Sequence, residues 1–471
     1  MYWKKLNSVY IFTFLFIVIL LLYYPTIFNT FVLDDYVWIE PLTIDKIKNI
    51  FTGTWEHGNT LRPIMRLFWG LERILFGENP TLWHLTNILL HTSISFSLYL
   101  IIKKIIKNKW LAIIGAFIFA IFPIHHENVA WISGQTHPLG LLLTLLAGYL
   151  LYKGIIKNKK YIILGYVLML LSFLTYEISF TIPIALLLTI LIIGPKNKTA
   201  YLVTTGSFAL LFSLLFYRYI VLDGSIGSVG SQHNNILLAP FLNIYELKNL
   251  YWYCKEVKLP MILISILLFC TGIKNKIWKN RDKELYLTIL LFFFSILSYL
   301  PFSIVDGVAV RFLYTTTFFS TITLVVFYDY LSKIKTSKII NTTLVILLLL
   351  VTTFSLNRTW KVSNIYKEIA DSYSKIQQTV IADFPMWPEG KHMLFYNIPD
   401  GIPDGKKDIL AYLTYFGKAV KYNYQDQQTG HVYRAERLSE ERLNKILNND
   451  PIIYKFENLN SGIRKISKES L

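Results

Sequence analysis

The chain has 471 residues, 54% of them hydrophobic and only 16% charged, with a formal net charge of +17. Its apolar residues come in blocks of about 20, the helix length that crosses a bilayer core, and lipid offers backbone N–H and C=O no partner, so each block must be helical and a soluble solenoid is disfavoured. The lysines and arginines sit mostly in short turns between blocks, so the charge encodes topology by the positive-inside rule and not a nucleic-acid ligand.

The first block follows Lys4-Lys5 and runs from about Ser8 to Phe28 without a small-residue cleavage site, which reads as an uncleaved signal anchor. About eleven spans are predicted, at 8–28, 82–102, 110–126, 137–153, 161–176, 178–194, 200–221, 258–273, 285–305, 312–332 and 339–356. With the N-terminus in the cytoplasm, the basic turns at 103–109, 157–160, 196–198, 274–283 and 333–338 all fall inside. The opposite turns are 29–81, 127–136, 176–177, 222–257 and 306–311. In the first of them, Ile64, Leu67, Phe68, Leu71 and Leu75 mark an amphipathic helix lying along the membrane surface, with Arg66, Glu72 and Arg73 on its other faces. Cys254 and Cys270 make no metal spacing.

An odd number of spans puts the tail outside with the long loops. The expected architecture is an all-α polytopic transmembrane bundle, residues 1–356, with a small extracytoplasmic α/β domain, residues 357–471. In that tail, apolar spacing predicts a helix from Lys361 to Phe384. Strands are predicted at His392–Ile398, near Ala419–Tyr424 and at Ile452–Phe456, and helices near Asp408–Phe416 and from a Ser439 cap to Leu447.

The sharpest chemical feature is Phe31-Val-Leu-Asp34-Asp35-Tyr36, where the first span leaves the membrane. Adjacent carboxylates near a bilayer are costly, and acidic residues there are a functional hypothesis by default. One would act as a general base on an acceptor hydroxyl, or both would hold a divalent cation such as Mg or Mn. The equal alternative is that one of them caps a helix starting at Tyr36. His125, His126 and Glu127, followed by Gln135 and His137, form a second cluster on the same side. The first three are a candidate metal set whose spacing matches no zinc motif, with interhelical hydrogen bonding as the alternative. His84, Asn87 and His91 share one face of the second span, where hydrogen bonding between helices is favoured over substrate contact. Arg62, Arg218 and Arg311 lie at outer membrane ends, against the positive-inside trend, where a guanidinium suits bidentate phosphate binding. For Arg311 function is favoured over snorkelling, because its short turn offers no other reason for a cation. His57 in the first outer loop joins the polar lining.

These features come in a recognisable order. Asp34-Asp35 is followed by Leu61-Arg62-Pro63-Ile64 and by Gly77-Glu-Asn79-Pro80-Thr-Leu-Trp-His84-Leu-Thr-Asn87-Ile-Leu-Leu-His91. Then come Phe122-Pro123-Ile-His125-His126-Glu127-Asn-Val-Ala-Trp131-Ile-Ser133 and Leu174-Thr-Tyr-Glu177-Ile-Ser-Phe-Thr-Ile-Pro183. Over roughly residues 10 to 320 the chain resembles the GT-C superfamily of membrane glycosyltransferases, especially its TMTC-type and protein O-mannosyltransferase branch. The resemblance implies inverting sugar transfer from a polyprenyl- or dolichyl-phosphate donor to a hydroxyl acceptor, protein or glycan, at the outer face of the membrane. It matches Asp34 to the catalytic base and Asp35 to its partner, and implies donor-phosphate contacts for Arg62 and Arg311, with Arg218 a further candidate. Gln135 and Glu177 fall in the polar lining. Where relatives often carry a basic then an acidic residue after Trp131-Ile-Ser, this chain has Gln135-Thr136-His137. Tyr176 stands where a lysine usually precedes the Glu177 equivalent, and no tetratricopeptide tail is present, so the acceptor stays open. A lipid-linked polysaccharide polymerase using the 222–257 loop and its His233, or a transporter, is the alternative.

Overall fold

The computed structural model describes residues 2–52, 61–192, 194–222, 255–274, 283–299, 309–333, 338–398, 402–404, 407–409, 420–421, 424, 431–435, 438–458 and 461–470. His57, His233 and most of the 222–257 loop lie outside them. A helix stands at the position of each of the eleven predicted spans. Among the described residues five helices are long and apolar enough to cross a membrane, or six if the bent pair Lys109–Ile121 and Pro123–Val129 is one span. The other apolar helices, such as Lys160–Phe173 and Glu284–Tyr299, are shorter in their described length. The protein is a multi-pass, mostly helical membrane protein.

Local chemistry sets the turns. Asn79 caps the Pro80–Ile106 helix by accepting from Thr81 N–H, and Pro80 sits at the first helical position, where its missing donor costs nothing. Lys107 ends that helix in the left-handed region (φ 59°), and Asn108 at once caps Lys109–Ile121 by accepting from Trp110 and Leu111 N–H. A two-residue turn thus closes a basic hairpin. Thr136–Ile156 and Lys160–Phe173 pack closely because of small residues: a Cβ on Gly154 would meet Ile162 Cγ1 at 2.5 Å.

The surface helix predicted in the first outer loop is Pro63–Phe76. Met65, Trp69 and Glu72 turn into the protein, while Leu71, Ile74 and Leu75 are exposed, as an interfacial helix requires.

The last span and the predicted tail helix are one element, Lys338–Asp383, 46 residues without a break at 356. At 1.5 Å per residue it extends about 69 Å, more than twice a bilayer core of about 30 Å. Its distal half buries Tyr366, Ile369, Tyr373, Ile376 and Val380 in the same apolar cluster as Tyr23, Leu33 and Tyr36. The tail sheet has the order β4-β1-β5-β6, with β1 Met393–Tyr396, β4 Val432–Arg434, β5 Ile452–Asn458 and β6 Gly462–Ile466. The pairs β1/β4 and β1/β5 are parallel and β5/β6 is antiparallel. The helix Glu440–Leu447, capped by Ser439 as expected, connects β4 to β5. Two expectations fail here. Lys407–Ile409 (β3) is a strand paired with Ile402–Asp404 (β2) where a helix was predicted from Asp408, and Val420–Lys421 is helical where a strand was predicted; residues 410–419 and 422–423 of these two predictions lie outside the described residues. The described pieces are only two or three residues long, too short for intrinsic propensity to outweigh tertiary context. The sheet is tied to the long helix by Tyr454, which donates to Asp383 at 2.8 Å.

Candidate active site

Leu33 turns the chain into the site through a left-handed conformation (φ 57°), which costs a non-glycine residue on the order of 1 kcal/mol. Asp34 follows with φ −80° and ψ 0°, and Asp35 opens a single helical turn, Asp35–Trp38. Asp34 occupies the N-cap position, yet its side chain makes no capping bond. The helix-cap alternative therefore gives way to a carboxylate pair with divided surroundings. Asp35 is fully buried and accepts three bonds: from Val32 N–H at 3.0 Å, Ser133 N–H at 3.0 Å and Ser133 Oγ–H at 2.5 Å. Asp34 keeps a buried Oδ1 with no hydrogen-bond partner.

Burial raises both acids. Asp34 is pushed up to about 6, with the Ser133 hydroxyl and the charges of Arg311 and Arg66 pulling the other way. Asp35 is pushed up to about 8 by burial and by the adjacent Asp34 charge, against its hydrogen bonds to Ser133 and Val32. The two titrate as a coupled pair.

The arginines divide likewise. Arg62 forks onto Glu177, with Nη2–Oε2 at 2.8 Å, and lies 4.4 Å over the Tyr176 ring. Arg218 has no exposed surface: it donates to Leu61 O at 3.0 Å and to Glu177 Oε1 at 2.9 Å. Arg311 pairs with Glu127 at 3.1 Å and keeps a third of its side chain exposed. That contact supplies a structural reason for the Arg311 cation which its loop sequence lacked. His137 hydrogen-bonds the Tyr176 hydroxyl at 2.7 Å, beside Phe312.

The stripe on the second span does mostly structural work. Asn87 donates to Val129 O and Trp131 O, and His91 joins Ala120 O at 3.0 Å and the Tyr314 hydroxyl at 2.7 Å. Since a carbonyl only accepts, His91 carries its proton on Nε2. His84 is buried. Gln135 accepts from Trp69 Nε1 at 2.8 Å and donates to Glu72 at 3.1 Å, behind the Asp pair.

The proposed metal trio is not gathered as a ligand set. His125 bonds Thr317 at 2.7 Å, His126 bonds Pro123 O at 2.8 Å and Glu127 turns to Arg311. Consecutive residues at a bend project in different directions, which spacing alone did not reveal. No three His, Cys, Asp or Glu among the described residues form a metal-holding group. Asp35 Oδ1 accepts two bonds and Oδ2 only one, so Oδ2 and the unpartnered Asp34 Oδ1 are the oxygens a shared cation would have to use.

Sequence reasoning assigned no role to Ser133, Arg66, Glu72 or Tyr176. Ser133 meets Asp35 across 98 residues, a contact no local pattern carries. Arg66, held 3.1 Å over the Trp38 ring, was legible as a cation in the outer loop but not as a neighbour of Asp34.

With this geometry the chain is similar to known proteins in two ways. The family model for dolichyl-phosphate-mannose-protein mannosyltransferase matches residues 62–217. An oligosaccharyltransferase from Archaeoglobus fulgidus, solved with a tethered acceptor peptide, superposes with a TM-score of 0.53 at 10% identity, over 96% of this chain and 69% of that one. A second structure, of the AglB enzyme from the same organism in complex with an inhibitory peptide and a dolichol-phosphate, gives 0.51 at 11% identity over 97% and 70%. Fold and family match together bear out the resemblance to the GT-C superfamily. The chain is also similar to protein O-mannosyl-transferase TMTC1 of Homo sapiens, 39% identical over 112 residues, 23% of this chain and 13% of the relative. It is also similar to Tmtc1 of Drosophila melanogaster, 29% identical over 196 residues, 39% of this chain and 22% of the relative. The chain thus spans less than a quarter of the length of these curated relatives.

Proposed function

We propose that this protein is a glycosyltransferase that moves a sugar from a polyprenyl- or dolichyl-phosphate donor to a hydroxyl acceptor at the outer membrane face, with inversion. The observation that carries the reading is Asp34: a carboxylate with an unpartnered buried oxygen, in a strained turn, next to an acid whose two oxygens both accept hydrogen bonds. Asp34 takes the proton of the acceptor hydroxyl as its oxygen attacks the anomeric carbon, and the bond from that carbon to the phosphate oxygen breaks. Asp35 orients Asp34 by anchoring the turn to Ser133. Charge grows on the departing phosphate, and Arg62 and Arg311, each partly exposed, stand to stabilise it. Their carboxylates, Glu177 and Glu127, fix the guanidinium planes in advance. Arg218, enclosed behind Glu177, acts as a support for Arg62. In this reading the N-terminus is cytoplasmic and the tail lies outside with Asp34.

Purified protein incubated with a panel of polyprenyl-phosphate sugars and host membrane extract tests the reading. The wild type should transfer sugar, and Asp34→Asn, which keeps size and removes the base, should lose about 10²–10⁴-fold in rate while staying folded. No consumption of any donor by folded wild type, or full activity in Asp34→Asn, would overturn it.

A further inference from the structure

An apolar cavity of about 750 Å³ lies between the helices Pro80–Ile106, Thr136–Ile156, Ile182–Ile192, Lys283–Tyr299 and Tyr314–Lys333. Ile178 and Thr315 mark its end nearest the acidic site, and Lys104, Tyr149 and Tyr152 mark the opposite end. There Lys104 Nζ stands 5.9 Å from the Tyr149 ring centre and 5.8 Å from that of Tyr152, while Lys153 Nζ lies 5.7 Å from the same Tyr149 ring and 4.0 Å over that of Tyr161. Two ammonium groups therefore share one aromatic ring. The turns 103–109 and 153–160 carry four lysines each and no Asp or Glu. Among the described residues none of these lysines is paired with a carboxylate.

Positive charge to mark topology needs no cavity behind it, and an apolar cavity needs no charge at its mouth. The two together fit an amphiphile with an anionic head. A free anion would satisfy the lysines and leave the cavity walls unmatched; a zwitterionic lipid would do the reverse. We propose that a phospholipid with an anionic headgroup, drawn from the leaflet facing Lys104, occupies this cavity. Its phosphate lies between Lys104 and Lys153, and an acyl chain lies among Leu142, Leu145 and Phe294. The site is separate from the acidic centre and does not depend on the reaction assigned to it.

The protein is reconstituted in nanodiscs of mixed phosphatidylcholine and phosphatidylglycerol, and retained lipid is counted by native mass spectrometry after transfer to mild detergent. Phosphatidylglycerol should be retained in preference to phosphatidylcholine. Lys104→Gln should lower that retention about fivefold, the factor for one lysine acting on an anionic lipid. Lys109→Gln, which removes the same charge away from the cavity, should leave it nearly unchanged. Leu145→Trp, which fills the cavity with every lysine in place, should expel the lipid. Equal retention of both lipids overturns the proposal. So does equal loss in Lys104→Gln and Lys109→Gln, a diffuse charge effect, or retention insensitive to Leu145→Trp, a headgroup-only contact. Displacement of phosphatidylglycerol by polyprenyl phosphate, unaffected by Lys104→Gln, would assign the cavity to a donor chain instead.

Discussion

Asp35 gives both carboxylate oxygens to protein donors, whereas Asp34, one residue earlier, leaves a buried oxygen unmatched. As the base Asp34 must be ionised, and the lower step of the Asp34–Asp35 pair, raised to about 6 by burial, sets the acid limb: transfer should fall as pH drops through about 6 and level off above it. Ser133 holds the ionised form of both acids, so Ser133→Ala should shift that limb to higher pH. Initial rates of the two proteins on either side of the limb would check this, and an unmoved limb would reduce Ser133 to a packing residue. Glu72 makes a separate case. It is buried on the helix Pro63–Phe76, and burial pushes it from the ordinary 4.5 up to about 8 against its bond to Gln135. A carboxyl whose folded pKa is raised favours the protonated state, so its contribution to stability is full below about 4.5 and is lost as pH rises towards about 8. Glu72→Gln should therefore raise thermal stability near neutral pH, by on the order of a few kcal/mol, and flatten its pH dependence across that window. Melting curves in detergent at acid and neutral pH would show whether the difference grows with pH as required.

At the scale of elements, the site depends on a short bend between the helices Lys109–Ile121 and Thr136–Ile156. Its residues 127–134 deliver both Glu127 to Arg311 and Ser133 to Asp35. Gly134 permits this bend because a Cβ there would lie 2.0 Å from Glu127 O and 2.9 Å from Asn128 Cα. Both are backbone atoms that no rotamer change can clear. Gly134→Ala should cost about 1–3 kcal/mol through overpacking and should impair transfer at the same time, since the shift moves Ser133. A melting temperature and activity equal to wild type would show that the bend relaxes freely. The same bend explains why His125, His126 and Glu127 separate: a 49° break follows Ile121, and the side chains leave it towards Thr317, Pro123 and Arg311.

Over the whole molecule, one continuous helix joins the membrane bundle to the tail sheet. Tyr373 on its distal half stacks on Tyr36, one residue beyond the acid pair, so the tail and the site rest on one support. The proposed orientation then has a direct test. In a background lacking Cys254 and Cys270, Ser461→Cys should react with a membrane-impermeant maleimide added to intact cells, and Asn158→Cys in a basic turn should react only after lysis. Labelling of position 158 from outside would invert the topology and move the acidic site to the cytoplasm.

Helix positions, including the helix Pro63–Phe76, were legible in the sequence because each follows from short-range physics. Apolar runs must be helical in lipid, lysines collect in the short turns between them, and Asn79, Asn108 and Ser439 announce their helices by capping chemistry. Asp34, Asp35, Arg62 and Arg311 were legible as costly charges at membrane depth. Their individual duties were not, because burial and partners come from elements far apart in the chain. Ser133 reaches Asp35 across 98 residues, Arg62 meets Glu177 across 115 and Arg311 meets Glu127 across 184. The tertiary structure alone decided which acid is engaged and which is open, which arginine is enclosed, and that the last span and the tail helix are one. Local sequence sets periodicity and caps, whereas desolvation and long-range pairing exist only once the helices have packed.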